Sequence, residues 1–191
     1  MENIISEIPI FSQLVDISKD RFQAYCQHGG DVTTEMVNND YGLLAPWTSL
    51  ILVSGNDYRI TFKVHFPVIN CKGLVAQSGA ESDDLQNELK IKMQVFDYLK
   101  EFCNYYAGSL KRAFSDANVN MGISLPILTR GFDEVFFPRA NFNSSFEVYW
   151  KMKNSIAEFK CSLFLEATNV EKLKSLSIKL DSSDEGEIEF L

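Results

Sequence analysis

Asp97, Glu101, Asn104, Gly108 and Lys111 follow one another at intervals of 4, 3, 4 and 3 positions. At about 100° per residue they fall within about 80° of arc, so a helix through this stretch carries them as one stripe. Any amphipathic helix has a polar face, and Asp97, Glu101 and Lys111 are ordinary occupants of one. Asn104 and Gly108 are not. Both are poor formers of a helix interior, glycine costing roughly 1 kcal/mol relative to alanine, and solubility alone would be served better by Glu, Lys or Gln. What the stripe offers is a neutral amide, donor and acceptor at once, beside a carboxylate on one rigid edge. Cys103 adjoins Asn104 but falls in the apolar sector, and no His-Cys-x5-Arg loop is present, so it reads as a buried structural thiol.

The helix that must position this stripe is predicted from about Leu85 to Phe114, after the capping candidates Ser82, Asp83 and Asp84. It contains no proline, and its opposite sector, with Val95, Leu99, Cys103, Tyr106, Ala107, Leu110 and Phe114, would lie on a sheet. Tyr105 flanks the stripe and is placed to line a partner groove. Ser49–Val53 and Tyr58–Phe66, joined by Ser54-Gly55-Asn56-Asp57, read as a hairpin, and alternation turns His65 toward solvent. The same alternation recurs at Phe146, Val148, Trp150 and Met152, then at Phe159, Cys161, Leu163 and Leu165, with Asn154-Ser155 between. One-sided alternation predicts antiparallel strands with one packed and one wetter face.

Gly122–Leu128 and Phe132–Phe137 also read as strands, with Pro126 favouring an edge or a bulge and Gly131-Phe132-Asp133-Glu134 a tight turn. Residues 8–25 suggest one or two short helices, broken near Ser18-Lys19-Asp20 and ending at Gly29-Gly30 beside a turn residue, His28. Thr168-x-x-Glu171 is a capping-box signature before the run Val170–Leu180. The expected fold is therefore α+β: an antiparallel or mixed sheet packed against a long central helix and shorter helices.

The chain has 191 residues and a net charge of −8, from 18 Lys+Arg against 26 Asp+Glu, which suits one domain and no nucleic-acid partner. Five of the negative charges lie in residues 181–191, which read as an acidic tail, so the body carries only −3. Cys26, Cys71, Cys103 and Cys161 form no C-x-x-C pair, and His28 and His65 have no ligand at metal-binding spacing, so no metal site is expected. No basic leader followed by an apolar run and no bilayer-length apolar window is present, which predicts a soluble, cytoplasmic protein with reduced thiols and no membrane partner.

The stretch Asp97-Tyr-Leu-Lys-Glu101-Phe-Cys-Asn104-Tyr-Tyr-Ala-Gly108-Ser-Leu-Lys111, followed by Gly122-Ile-Ser-Leu-Pro126, resembles the signature of the CheC/CheX/FliY chemotaxis phosphatases. That signature reads Asp/Ser-x3-Glu-x2-Asn-x22-Pro, usually with Gly four residues after the Asn. Here 21 residues separate Asn104 from Pro126, one fewer, which places a deletion in the loop around Ser115–Met121. The resemblance extends loosely over 47–166, leaving 1–45 as a helical N-terminal extension of a single CheX-like domain spanning 1–191.

The resemblance implies a two-layer CheX-like fold and a phosphatase acting on the aspartyl phosphate of a phosphorylated CheY-type response regulator. Asn104 would orient the attacking water and Glu101 would dock on a regulator lysine. Asp97, Gly108, Lys111 and Tyr105 would meet the partner, and Pro126 would be structural. The protein would need no cofactor of its own, Mg²⁺ being supplied by the regulator. A homodimer paired through sheet edges is also implied. The competing reading is a non-catalytic CheX-like binding or dimerisation module, in signalling or in a flagellar switch.

Overall fold

Alternating stretches become hairpins and the long periodic stretch becomes one helix laid across them. The computed structural model describes residues 10–26, 28–37, 45–75, 85–130 and 144–176. The Phe132–Phe137 strand, the 131–134 turn, the capping candidates Ser82, Asp83 and Asp84 and the 181–191 tail fall outside the described residues. In chain order the elements are α1 (Ile10–Tyr25), β1 (Thr33–Met36), β2 (Trp47–Ser54), β3 (Tyr58–Phe66), a 3-10 segment (Val68–Leu74), α2 (Leu85–Asp116), β4 (Gly122–Ile123), β5 (Ile127–Arg130), β6 (Ser144–Lys153), β7 (Glu158–Ala167) and α3 (Val170–Lys174).

The strands form one sheet in the order β1-β6-β7-β3-β2, with β4 and β5 both on the outer edge of β2. Every pairing among the described strands is antiparallel. The long strands pair in full register, Phe62 opposite Leu163 and Trp150 opposite Cys161. Asn154 closes the β6–β7 turn as its sequence suggests, its Oδ1 accepting from the amides of Ile156 and Ala157 at 3.1 and 2.8 Å.

The helices cover one face. Val95, Leu99, Cys103, Tyr106, Ala107, Leu110 and Phe114 are all fully buried, as the predicted apolar sector requires. Phe62 lies under Tyr106 and beside Phe102 and Trp150, with centroids 4.2, 6.0 and 5.9 Å away. Truncating so central a ring to alanine typically costs about 3–5 kcal/mol. Helix α2 stops where Asn118 takes the left-handed conformation, φ 60°, and the Val119 amide reaches back to Phe114 O at 2.8 Å.

Several expectations are corrected. Of the one or two helices expected over residues 8–25 the structure has one, Ile10–Tyr25, in which the polar stretch interrupts nothing because the Ser18 hydroxyl is buried and donates to Val15 O at 2.7 Å. The N-terminal 45 residues are not only helical: Thr33–Met36 pairs with β6 as an edge strand, Thr34 opposite Met152. Its side chains are mostly exposed, which is why the segment shows no period. The cap of α3 is Asn169, which accepts from the amides of Glu171 and Lys172, while the Thr168 hydroxyl donates to Asp57. That helix is Val170–Lys174, shorter than the run read from sequence.

The larger correction concerns the second face of the sheet, which is polar but not wet. His65 is only 8 % exposed and sits between the Thr48 and Ser162 hydroxyls, at 3.2 and 2.9 Å. Arg59 and Glu166 pair at the other end of the same strand face, and Thr61 is buried between. Alternation correctly put His65 opposite Phe62 and Val64. It carried no information on whether the second face is covered, and hydroxyl partners make a covered imidazole acceptable.

Candidate functional site

Helix α2 presents the predicted stripe away from the sheet. Asp97, Glu101, Gly108 and Lys111 are exposed and Asn104 is half-buried. The two central side chains touch: Asn104 Nδ2 donates to Glu101 Oε2 at 3.4 Å, a long bond that leaves the amide oxygen unengaged by it. Asp97 pairs with Lys100 at 2.7 Å, an exposed bond of one helical turn. A methyl group built on Gly108 would meet nothing within 4 Å. No internal packing therefore requires glycine there, and its cost to the helix has no return inside the molecule.

Pro126 is not on the stripe but in the sheet edge. Val53 opposes Ile123 and Leu50 opposes Ile127, so residues 124–126 face only 51–52 on β2. This is a β-bulge, pinned by Ser124 N donating to Leu52 O at 2.9 Å and Leu52 N donating to Ser124 Oγ at 3.0 Å. Proline fits a position that gives up its ladder hydrogen bond. Tyr105 is half-buried and lies 6.1 Å from the Tyr25 ring, with the Arg21 guanidinium 5.4 Å from its own ring centre. It braces α1 against α2 at the border of the stripe.

Next to Asp97 and Glu101 opens a cleft of about 660 Å³. Tyr25 and His28 bound it from the end of α1, Leu74 from the 3-10 segment and Ile156 from the β6–β7 turn. Gln94 and Tyr98 complete the α2 wall. Its base depends on a close approach: a Cβ on Gly73 would stand 2.3 Å from Ile156 O, so only glycine lets the 3-10 segment rest on the turn. Tyr25 and Tyr98 rings stand 4.5 Å apart, and Tyr98 Oη donates to Tyr25 O at 3.1 Å. Desolvation pushes the Tyr98 hydroxyl up, and desolvation with the Glu101 charge raises Tyr25, so both rings stay neutral at physiological pH.

Cys103 is buried with its thiol pushed up to about 12, chiefly by desolvation, which removes it as a nucleophile. Among the described residues no group of three or more His, Cys, Asp and Glu could hold a metal, and no helix is long and apolar enough to cross a membrane. The structure thus brings Asp97, Glu101, Asn104, Gly108 and Lys111 to one surface. The cleft was not foreseen, since its walls come from four separated segments. Only the proximity of Gln94 and Tyr98 to Asp97 in a helical register hinted at one side of it.

One antiparallel sheet crossed by a long helix with its polar face outward is the CheX-like α+β fold, and the chain matches the CheX/CheC/FliY family in structure. CheX from Borrelia burgdorferi, solved as a CheX–CheY–BeF3–Mg²⁺ complex, superposes with a TM-score of 0.59 at 9% identity, over 82% of this chain and 97% of that one. CheX from Desulfovibrio desulfuricans gives 0.55 at 16% identity, over 83% and 100%. CheX from Vibrio vulnificus gives 0.55 at 13%, over 80% and 96%. No family model and no curated protein matches the sequence.

Proposed function

We propose that this protein is a cytoplasmic phosphatase for the aspartyl phosphate of a CheY-type response regulator. The observation that carries the reading is the exposed Asn104–Glu101 pair with open space over Gly108, on a fold shared with a CheX solved in complex with CheY. In that complex the BeF3 group chemically stands in for a phosphoryl group. An acyl phosphate is already activated, so its hydrolysis needs an in-line water, a cation on the phosphoryl oxygens and positioning. The regulator brings the phosphoryl group and Mg²⁺. This chain brings an amide that accepts a hydrogen bond from water without repelling the phosphoryl oxygens, which a carboxylate would do. Glu101 pairs with a lysine of the regulator and fixes the approach, and Gly108 leaves room for the partner's backbone. Pairing of two copies through sheet edges belongs to the same reading.

The test is single-turnover hydrolysis of a phosphorylated CheY-type regulator by wild type and Asn104→Ala. Accelerated loss of phosphate with wild type alone is expected. Equal rates with and without the wild-type protein would leave only a binding module.

A further inference from the structure

The cleft beside the stripe has no part in the water chemistry assigned to Asn104, and two carboxylates stand in its lining beside Tyr25, Tyr98, Gln94 and His28. Asp97 and Glu101 contribute carboxylates, which only accept hydrogen bonds. Among the described residues, no lysine or arginine lines the cleft. The nearby Lys100 reaches Asp97 only as an exposed i,i+3 pair, the kind that exchanges readily. The remaining wall includes the Tyr25 and Tyr98 rings, which can hold an aliphatic stem and attract a cation.

We infer that this cleft receives a basic side chain, lysine or arginine, from the partner protein whose phosphoryl group meets Asn104. The inference rests on the proposed function and adds to it a second anchor, separate from the lysine that Glu101 would meet beside the phosphoryl group. Two carboxylates and two neutral aromatic faces suit a donor-only, positively charged side chain. At about 660 Å³ the cleft lies within the range of roughly 300–1,000 Å³ usual for small-ligand sites, so a long side chain and its waters fit. Asp97 lies seven residues before Asn104, about 10 Å along the helix axis, so one partner face can span both. This also gives Asp97 a role: it marks the cleft mouth.

The experiment measures binding of a CheY-type response regulator loaded with beryllofluoride and Mg²⁺ to Ile156→Trp and Asp97→Lys. Ile156→Trp fills the space, and Asp97→Lys puts a cation at the mouth on a side chain that is 64% exposed and bears on no packing. Each is expected to raise Kd about tenfold or more, with the melting temperature kept. Asn104→Ala, run in parallel, is expected to keep Kd and lose turnover. If Asp97→Lys and one stably folded cleft variant bind like wild type while wild type dephosphorylates the regulator, the inference falls and the function stands. If wild type binds in a cleft-dependent way without dephosphorylating, the function falls and the docking site stands. If no CheY-type regulator binds wild type, both fall.

Discussion

Asn104 Nδ2 and Glu101 Oε2 lie 3.4 Å apart across one turn of α2, the carboxylate holding the amide by its nitrogen. That polarity has a consequence: the amide oxygen is turned over to whatever approaches, ready to accept a hydrogen bond from water. Asn104→Ala removes the oxygen and breaks no core contact, so stability should change by less than about 0.5 kcal/mol. Turnover of a phosphorylated regulator should fall by about 10²–10³, the usual loss for one preorganised polar group. Single-turnover rates beside thermal melts check both halves, and an unchanged rate would remove Asn104 from the chemistry.

Glu101→Ala is expected to act on association. Its carboxylate is exposed and charged, so its loss should raise Kd about tenfold and flatten the salt dependence, with the rate at saturating regulator largely retained. Saturation curves at two ionic strengths decide this. Parallel curves with the wild-type midpoint would contradict it.

Gly108 makes a prediction of opposite sign for stability and for binding. Because a Cβ there meets nothing, Gly108→Ala should stabilise the protein by about 0.5–1 kcal/mol through helix propensity alone. Gly108→Phe should fold equally well and bind regulator poorly, because the ring would stand where the partner's backbone approaches. Urea unfolding combined with binding measurements tests the pair, and a destabilised alanine variant would show that glycine is held there by packing.

How far sequence could see follows from the range of the interactions. The stripe was readable because a helix converts spacing into a face without reference to anything distant, and Asn154 and the β2–β3 turn are local in the same way. The Asn169 cap was misplaced by one residue because Thr168 has a long-range alternative at Asp57 that no local pattern carries. His65 and β1 were misjudged for a shared reason: whether a polar strand face is covered, and whether a polar segment finds a strand to pair with, are settled by neighbours more than 80 residues away. The cleft is the extreme case, built by four segments that share no pattern.

His65 predicts a pH dependence. Desolvation, with Lys63 and Lys160 adding repulsion, lowers its pKa from the ordinary 6.5 to about 3. The unfolded chain therefore binds a proton between those values that the folded chain refuses, and unfolding is favoured as pH falls through that window. At pH 5 the loss attributable to His65 should be about 2 kcal/mol relative to pH 7.5. His65→Gln, which keeps partners for Thr48 and Ser162 without titrating, should flatten the slope between pH 4 and 6.5. Chemical denaturation at several pH values measures it, and identical slopes in the two proteins would mean that the imidazole protonates within the fold.

The two outer borders of the sheet have the same property for a reason not visible in either alone. On one side β1 offers four residues; on the other, β4 and β5 offer two and four, separated by the bulge at 124–126 and its proline. The interior strands run to eight, nine and ten residues. An incoming chain adding itself to β1, β4 or β5 could zip up no more than four residues before losing register. Those three strands are thereby poor templates for end-to-end fibre growth. Any pairing of two copies through those borders would be a shallow, reversible handshake tuned by concentration.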